Sequence, residues 1–189
     1  MAGTFSSLSE RDTKLIQYLA RHNHFTPFTH CFVTLRESIP IFLARQRFKH
    51  MVGFSYNEVS RRYVDDSPKF YFPTWREKAE NKKQGSAEEF KELDQFGFEQ
   101  IANAAYLYAL SAYQELLNAG VAPEQARMVL PQSMFTSYYV SGSLAAWARA
   151  YKLRTTGEYQ KEWDLVTKQW DDIIRPLFPI AWAALLGEK

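Results

Sequence analysis

From Ser86 to Gly120 one helical pattern runs through the chain, and any fold must house that rod. Ser86-Ala-Glu-Glu reads as its start. Phe90, Leu93, Phe96 or Phe98, Ile101, Ala105, Tyr108, Ala112, Leu116 and Leu117 form a stripe that predicts one buried face. Gly120 supplies the stop.

The other elements are shorter. Ser9, with Glu10 and Asp12 behind it, predicts a helix to about Ala20. Thr26 before Pro27 reads as an N-cap. Residues 31–36 and 133–141 are rich in β-formers and predict strands. Pro40 opens a helix from Ile41 to about His50, and Gly53 bends the chain. The stretch 54–75 is mixed and long for a plain loop, and 76–86 reads as an exposed connection. Pro123 opens a short helix, Ser143 caps one to about Leu153, and a last helix runs from about Glu158 to Leu177. The apolar tail Ile180–Leu186 is expected to pack. Few strands among many helices predict a mixed α/β or α+β domain, helix-rich with a small central sheet.

Composition narrows the function classes little. A net charge of +2 is too small to argue for a nucleic-acid surface. The lone Cys31 forbids an internal disulfide and sits in an apolar run, so it reads as a small core residue. No run of eighteen apolar residues exists and no secretory leader is visible, so a cytoplasmic place is expected, or the host cytoplasm for a viral chain. The 16% of aromatic residues suit either a dense core or a ring-stacking site. His22, His24 and His30 lack a second ligand cluster, so no metal is expected.

Residues 44–63 concentrate the chemistry. Arg45, Arg47, Lys49, His50, Arg61 and Arg62 lie there, interleaved with Gln46, Ser55, Asn57, Glu58 and Ser60. Cations for a phosphate, a carboxylate or amide for a ring edge, and hydroxyls to complete the shell suit a phosphorylated planar ligand. The same residues could form a solvated basic helix and a polar loop, or a basic patch for RNA.

The block Lys49-His50-Met51, eight residues and then Ser60, ends in Asn57-Glu58-Val59-Ser60-Arg61-Arg62-Tyr63. Upstream stand His22 to His30 and Pro40-Ile41-Phe42-Leu43-Ala44-Arg45-Gln46. Downstream stand Ala126-Arg127-Met128-Val129-Leu130-Pro131, Ser141-Gly142-Ser143-Leu144, Ala146-Trp147, Leu153-Arg154, Gln160 and Glu162. In this order, from about residue 9 to the end, the chain resembles the flavin-dependent thymidylate synthases. Lys49 and Met51 stand where the family's Arg-His-Arg triplet has arginines, and Ala145 stands where a further arginine is usual.

The resemblance implies conversion of dUMP to dTMP, with methylenetetrahydrofolate as one-carbon donor and FAD, reduced by NADPH, as hydride carrier. It implies a homotetramer with sites shared between subunits, no nucleic-acid partner and no membrane. It also implies a single domain over 1–189, trimmed of a strand that family chains carry ahead of the Ser9 helix. For substrate it implies Gln46, Lys49, Glu58, Ser60, Arg61, Arg62, Arg127 and Arg154. Arg62 and Arg127 would hold the phosphate, and Arg154, the catalytic residue, would lie against the uracil ring. For flavin it implies Thr26, Lys49, His50, Met51, Glu58, Ser143 and Arg149, with Arg47 and Arg149 as cations that could answer the losses at Met51 and Ala145. Ser60 reads as a positioning residue, not a nucleophile. The rival reading is a degenerate homologue that binds nucleotide without catalysis.

Overall fold

The computed structural model describes residues 8–60, 67–80, 85–156 and 159–188. Three strands form one antiparallel sheet: β1 (Phe32–Pro40), β2 (Phe54–Glu58) and β3 (Phe135–Ser143), in the order β1-β3-β2. Among the described residues, seven α-helices accompany it: α1 (Glu10–Arg21), α2 (Ile41–Arg47), α3 (Glu92–Asn118), α4 (Pro123–Ala126), α5 (Leu144–Leu153), α6 (Trp163–Leu177) and α7 (Pro179–Leu186). With every strand pairing antiparallel, the architecture is α+β.

Strand β1 alternates as a half-buried strand should, with Val33, Glu37 and Ile39 buried. One of these inward positions holds a carboxylate, and Glu37 pairs in register with Tyr138 of β3. Gly142 lets β2 close on β3, because a Cβ there would stand 2.3 Å from the Phe54 ring. Ser143 caps α5 as expected, its Oγ accepting from the Ala146 amide at 3.2 Å. Ser9 and Asp12 cap α1 reciprocally.

The core is built on four buried tryptophans, Trp147, Trp163, Trp170 and Trp182. Each indole N–H finds an acceptor: the Val33 carbonyl, Gln46, Glu37 and Asp171 respectively. Four of the five tryptophans thus serve the core. Cys31 packs against this cluster, and its carbonyl accepts from the Leu144 amide at 2.8 Å. The apolar tail packs as α7, through Trp182 and against α1.

Several expectations are corrected. Helix α3 begins at Glu92, not Ser86, because the preceding backbone pairs elsewhere: the Ala87 amide bonds the Glu77 carbonyl at 2.9 Å and the Phe90 amide that of Trp75 at 3.1 Å. The predicted buried face of α3 is largely uncovered, with Leu93 84%, Ile101 70% and Tyr108 81% exposed. Residues 54–58 are an edge strand inside the stretch read as irregular. Helix α2 stops at Arg47, three residues before His50. Thr26 is not an N-cap; Phe25 holds that position in a short 3-10 turn with no side-chain cap. Helix α6 starts at Trp163, later than Glu158.

Candidate active site

The first cluster gathers where α2 ends, α5 ends and α6 begins. Arg154 follows the last turn of α5 as its C-cap. Its Nε donates to Nε2 of His50 at 3.1 Å, and its two terminal nitrogens reach the Gln46 side-chain oxygen at 3.3 Å and the Gln46 carbonyl at 3.4 Å. Its guanidinium carbon lies 4.9 Å from the centre of the Trp163 ring. The Gln46 oxygen also accepts from Trp163 Nε1 at 2.9 Å, and its amide nitrogen donates to Gln160 at 2.7 Å. That network fixes which way the amide points.

The electrostatics follow from these neighbours. Among the described residues, Arg154 is held by neutral groups, so its charge is oriented without being cancelled. Burial, then the nearby Arg47, lowers its pKa. His50 is buried, and its pKa falls to about 4 through loss of solvent first, then the charges of Arg154, Arg47 and Arg149. At neutral pH its imidazole is therefore uncharged and can accept from Arg154.

A cavity of about 530 Å³ opens beside this cluster, walled by Gln46, Arg76, Ser86, Arg154, Gln160 and Lys161. Three of its side chains are cations, and none of its described lining is a carboxylate. Arg76 and Ser86 belong to the segment read as an exposed connection. Instead Arg76 is largely buried, donating to Ser86 Oγ at 2.6 Å and pairing with Glu162. A lone arginine in a polar run gave no sign of this in the sequence.

The second cluster lies in a separate cavity of about 790 Å³ that includes Arg36, Glu58, Ser60, Lys69, Arg127 and Thr136 in its walls. Glu58 accepts from Thr136 Oγ1 at 2.6 Å, and Arg127 donates to the Glu124 carbonyl at 3.3 Å. Arg36 and Lys69 were missed by the sequence reading. Arg36 is an outward position of β1, visible only from the alternation between Leu35 and Glu37. Lys69 arrives because its carbonyl accepts from the Phe135 amide at 2.9 Å, a pairing no local pattern announces. Arg61 and Arg62 lie outside the described residues.

The expected flavin residues gather around α5 and the turn before β2. Lys49 and Met51 are exposed on that turn, and the exposed Arg149 of α5 donates to the Val52 carbonyl. The 3-10 turn bearing the exposed Thr26 packs on α5. Ser143 is buried with its oxygen engaged as the α5 cap. Glu58 stands apart, in the second cavity. Arg47 does not join this set: it is fully buried against Glu37 at 3.1 Å, enclosed by aromatic rings. It is therefore not a free cation that could answer the loss at Met51.

Of the described substrate residues, five thus fall into two groups within one chain, and Lys49 lines neither cavity. Gln46 and Arg154 share the smaller cavity, while Glu58, Ser60 and Arg127 share the larger, and the two linings have no residue in common.

The model of the family described as "Thymidylate synthase complementing protein" matches residues 3–180. A flavin-dependent thymidylate synthase of Streptomyces avermitilis is 36% identical over 185 residues, covering 93% of this chain and 75% of its own. One from Thermus thermophilus is 37% identical over 174 residues, covering 92% of this chain and 63% of its own. Among solved structures, a UMP/dUMP methylase, PolB of Streptomyces cacaoi bound with 5-Br UMP, superposes with a TM-score of 0.87 at 29% identity, covering 96% of this chain and 84% of that one. The match spans both clusters and nearly the whole fold, and the chain belongs to the flavin-dependent thymidylate synthase family.

Proposed function

We propose that this protein methylates dUMP at C5 to give dTMP, taking the one-carbon unit from methylenetetrahydrofolate. The observation that carries the reading is Arg154, a guanidinium held by a neutral imidazole and a neutral amide at the wall of a cation-lined cavity. Set against a uracil edge, it would stabilise negative charge developing on the ring and so favour attack from C5. Gln46 would read the ring edge and Lys49 would face the nucleotide. Arg127, with Arg61 and Arg62, would hold the phosphate by charge-assisted bonds. Ser60 and Glu58 would position the sugar side.

The residues suit an anionic flavin dinucleotide. Lys49, His50, Met51 and Arg149 surround one turn, cationic or neutral throughout, with Thr26 and Ser143 alongside on and against α5. Bound FAD, reduced by NADPH, would supply the hydride. This chain's own contribution is to bind, orient and polarise.

Two features favour a homotetramer with shared sites. Five of the nucleotide residues of one chain line two separate cavities, so a neighbouring chain would bring the complementary half. The apolar side chains on α3 also need a cover. The place of this reaction would be the cytoplasm, and neither nucleic acid nor membrane is a partner.

The test is dTMP formation from dUMP with FAD, NADPH and methylenetetrahydrofolate. Wild-type protein should turn over, and Arg154→Lys should lower kcat by roughly 10²–10³ while still binding FAD. Product formation at the wild-type rate by Arg154→Lys would remove Arg154 from the chemistry. No product from wild-type protein that binds dUMP would favour the non-catalytic homologue.

A further inference from the structure

The turn that carries Lys49 and His50 is tied down from beneath. Arg47, just ahead of it, is fully buried, with its guanidinium carbon 4.4 Å from the Phe54 ring centre and 4.9 Å from those of Trp147 and Trp170. Glu37 answers the charge, and is itself bound by Trp170 Nε1 at 2.9 Å and by the Tyr138 hydroxyl. A terminal guanidinium nitrogen points the other way and donates to the Tyr56 hydroxyl at 2.6 Å. That hydroxyl has one proton to give. It faces the His50 carbonyl at 2.7 Å, with the Arg47 carbonyl at 3.1 Å. The chain of bonds therefore runs from Glu37 through Arg47 and Tyr56 into the backbone of His50, whose ring meets Arg154.

Replacing a buried ion pair by apolar side chains is often neutral or stabilising. Stability alone thus gives little reason for a guanidinium boxed in by rings at this place. We propose that Tyr56, aligned by the Glu37–Arg47 pair, is a positioning residue that clamps the His50 carbonyl and so fixes the imidazole against Arg154 and shapes the turn for flavin. The flavin part rests on the functional reading above; the link from Tyr56 to His50 and Arg154 does not. Among the described residues, the charged or titratable groups acting on His50 are Arg154 just after α5, Arg149 from α5, Arg47 from α2 and Tyr56 from β2.

The test uses the full chain labelled with 15N-histidine, following the His50 ring resonance over pH, together with FAD affinity from flavin fluorescence. His50→Gln identifies the resonance. Tyr56→Phe should move the His50 shift and its titration and weaken FAD binding roughly tenfold. Tyr138→Phe removes a bond to Glu37 while keeping the ring that packs on Phe48 and Tyr56, and should leave both within about twofold of wild type. If Tyr56→Phe folds poorly, Arg47→Lys keeps a cation near Glu37, withdraws the donation to Tyr56, and carries the same expectation. The clamp is overturned if Tyr56→Phe leaves the His50 signal unmoved, or if Tyr138→Phe moves it as much. Wild-type protein that binds no FAD would contradict the functional reading alone, and the His50 signal would then decide the clamp.

Discussion

Arg154 and His50 are coupled by a single bond at 3.1 Å, and its direction requires an uncharged imidazole. The folded pKa of His50, near 4, lies below its ordinary value of 6.5, so the unfolded chain takes up the proton first as pH falls. The stability this confers is complete above about pH 6.5 and is lost as pH drops towards 4. Melting temperature should therefore fall between pH 7.5 and 5, and His50→Gln should flatten that fall. A His50→Gln profile as steep as wild type would assign the loss to other groups. Arg47 gives a second residue-scale expectation. Glu37→Gln leaves that buried guanidinium without a counter-charge and should cost about 3–5 kcal/mol in denaturant unfolding. Both roles show where a sequence reading stops. The motif named His50 and Arg154, but nothing local separates Arg47 from the exposed Arg45 two residues earlier. The partner of Arg47, Glu37, is ten residues away on a strand, and its shielding rings come from β2, α5 and α6.

At the scale of elements, two serine start signals carried over into structure, whereas those at Thr26 and Ser86 did not. Ser9 with Asp12 and Ser143 with the Ala146 amide are caps in the fold as in the sequence. Ser143→Ala should cost about 1 kcal/mol of stability, read as a shift in the denaturation midpoint. No shift would mean that the α5 start is held by the Leu144 amide on Cys31 instead. Elements defined by distant partners were less legible. Strand β2 is short, polar at Ser55 and Asn57, and exists because β3 lies beside it. The 85–91 segment carries a good helix start, yet its backbone pairs with residues 75–77 and Gln95 brackets Trp75 with bonds of 2.8 and 2.6 Å. Local propensity loses there to a tertiary pairing.

For the whole molecule, α3 is the element with the most exposed apolar surface left to cover. Its 27 residues bury only Ala102 and Tyr113, while Leu93, Phe96, Ile101, Leu107 and Tyr108 face outward. The sequence showed that this face wants a cover, and could not show that the described residues leave it open. If copies of the chain cover each other there, light scattering should give a mass near four times 22.0 kDa. Ile101→Asp with Tyr108→Asp should shift that mass downward and, with it, abolish nucleotide binding at the shared sites. A monomeric wild-type protein with full activity would contradict shared sites.

Joint binding of flavin and nucleotide is tested by an absorbance titration of the protein reconstituted with FAD, to which dUMP is then added. On the proposed arrangement, with nucleotide and flavin sharing one site around Arg154, flavin binds and saturating dUMP shifts its visible spectrum. A protein that takes no flavin, or a bound flavin whose spectrum ignores dUMP, would contradict it.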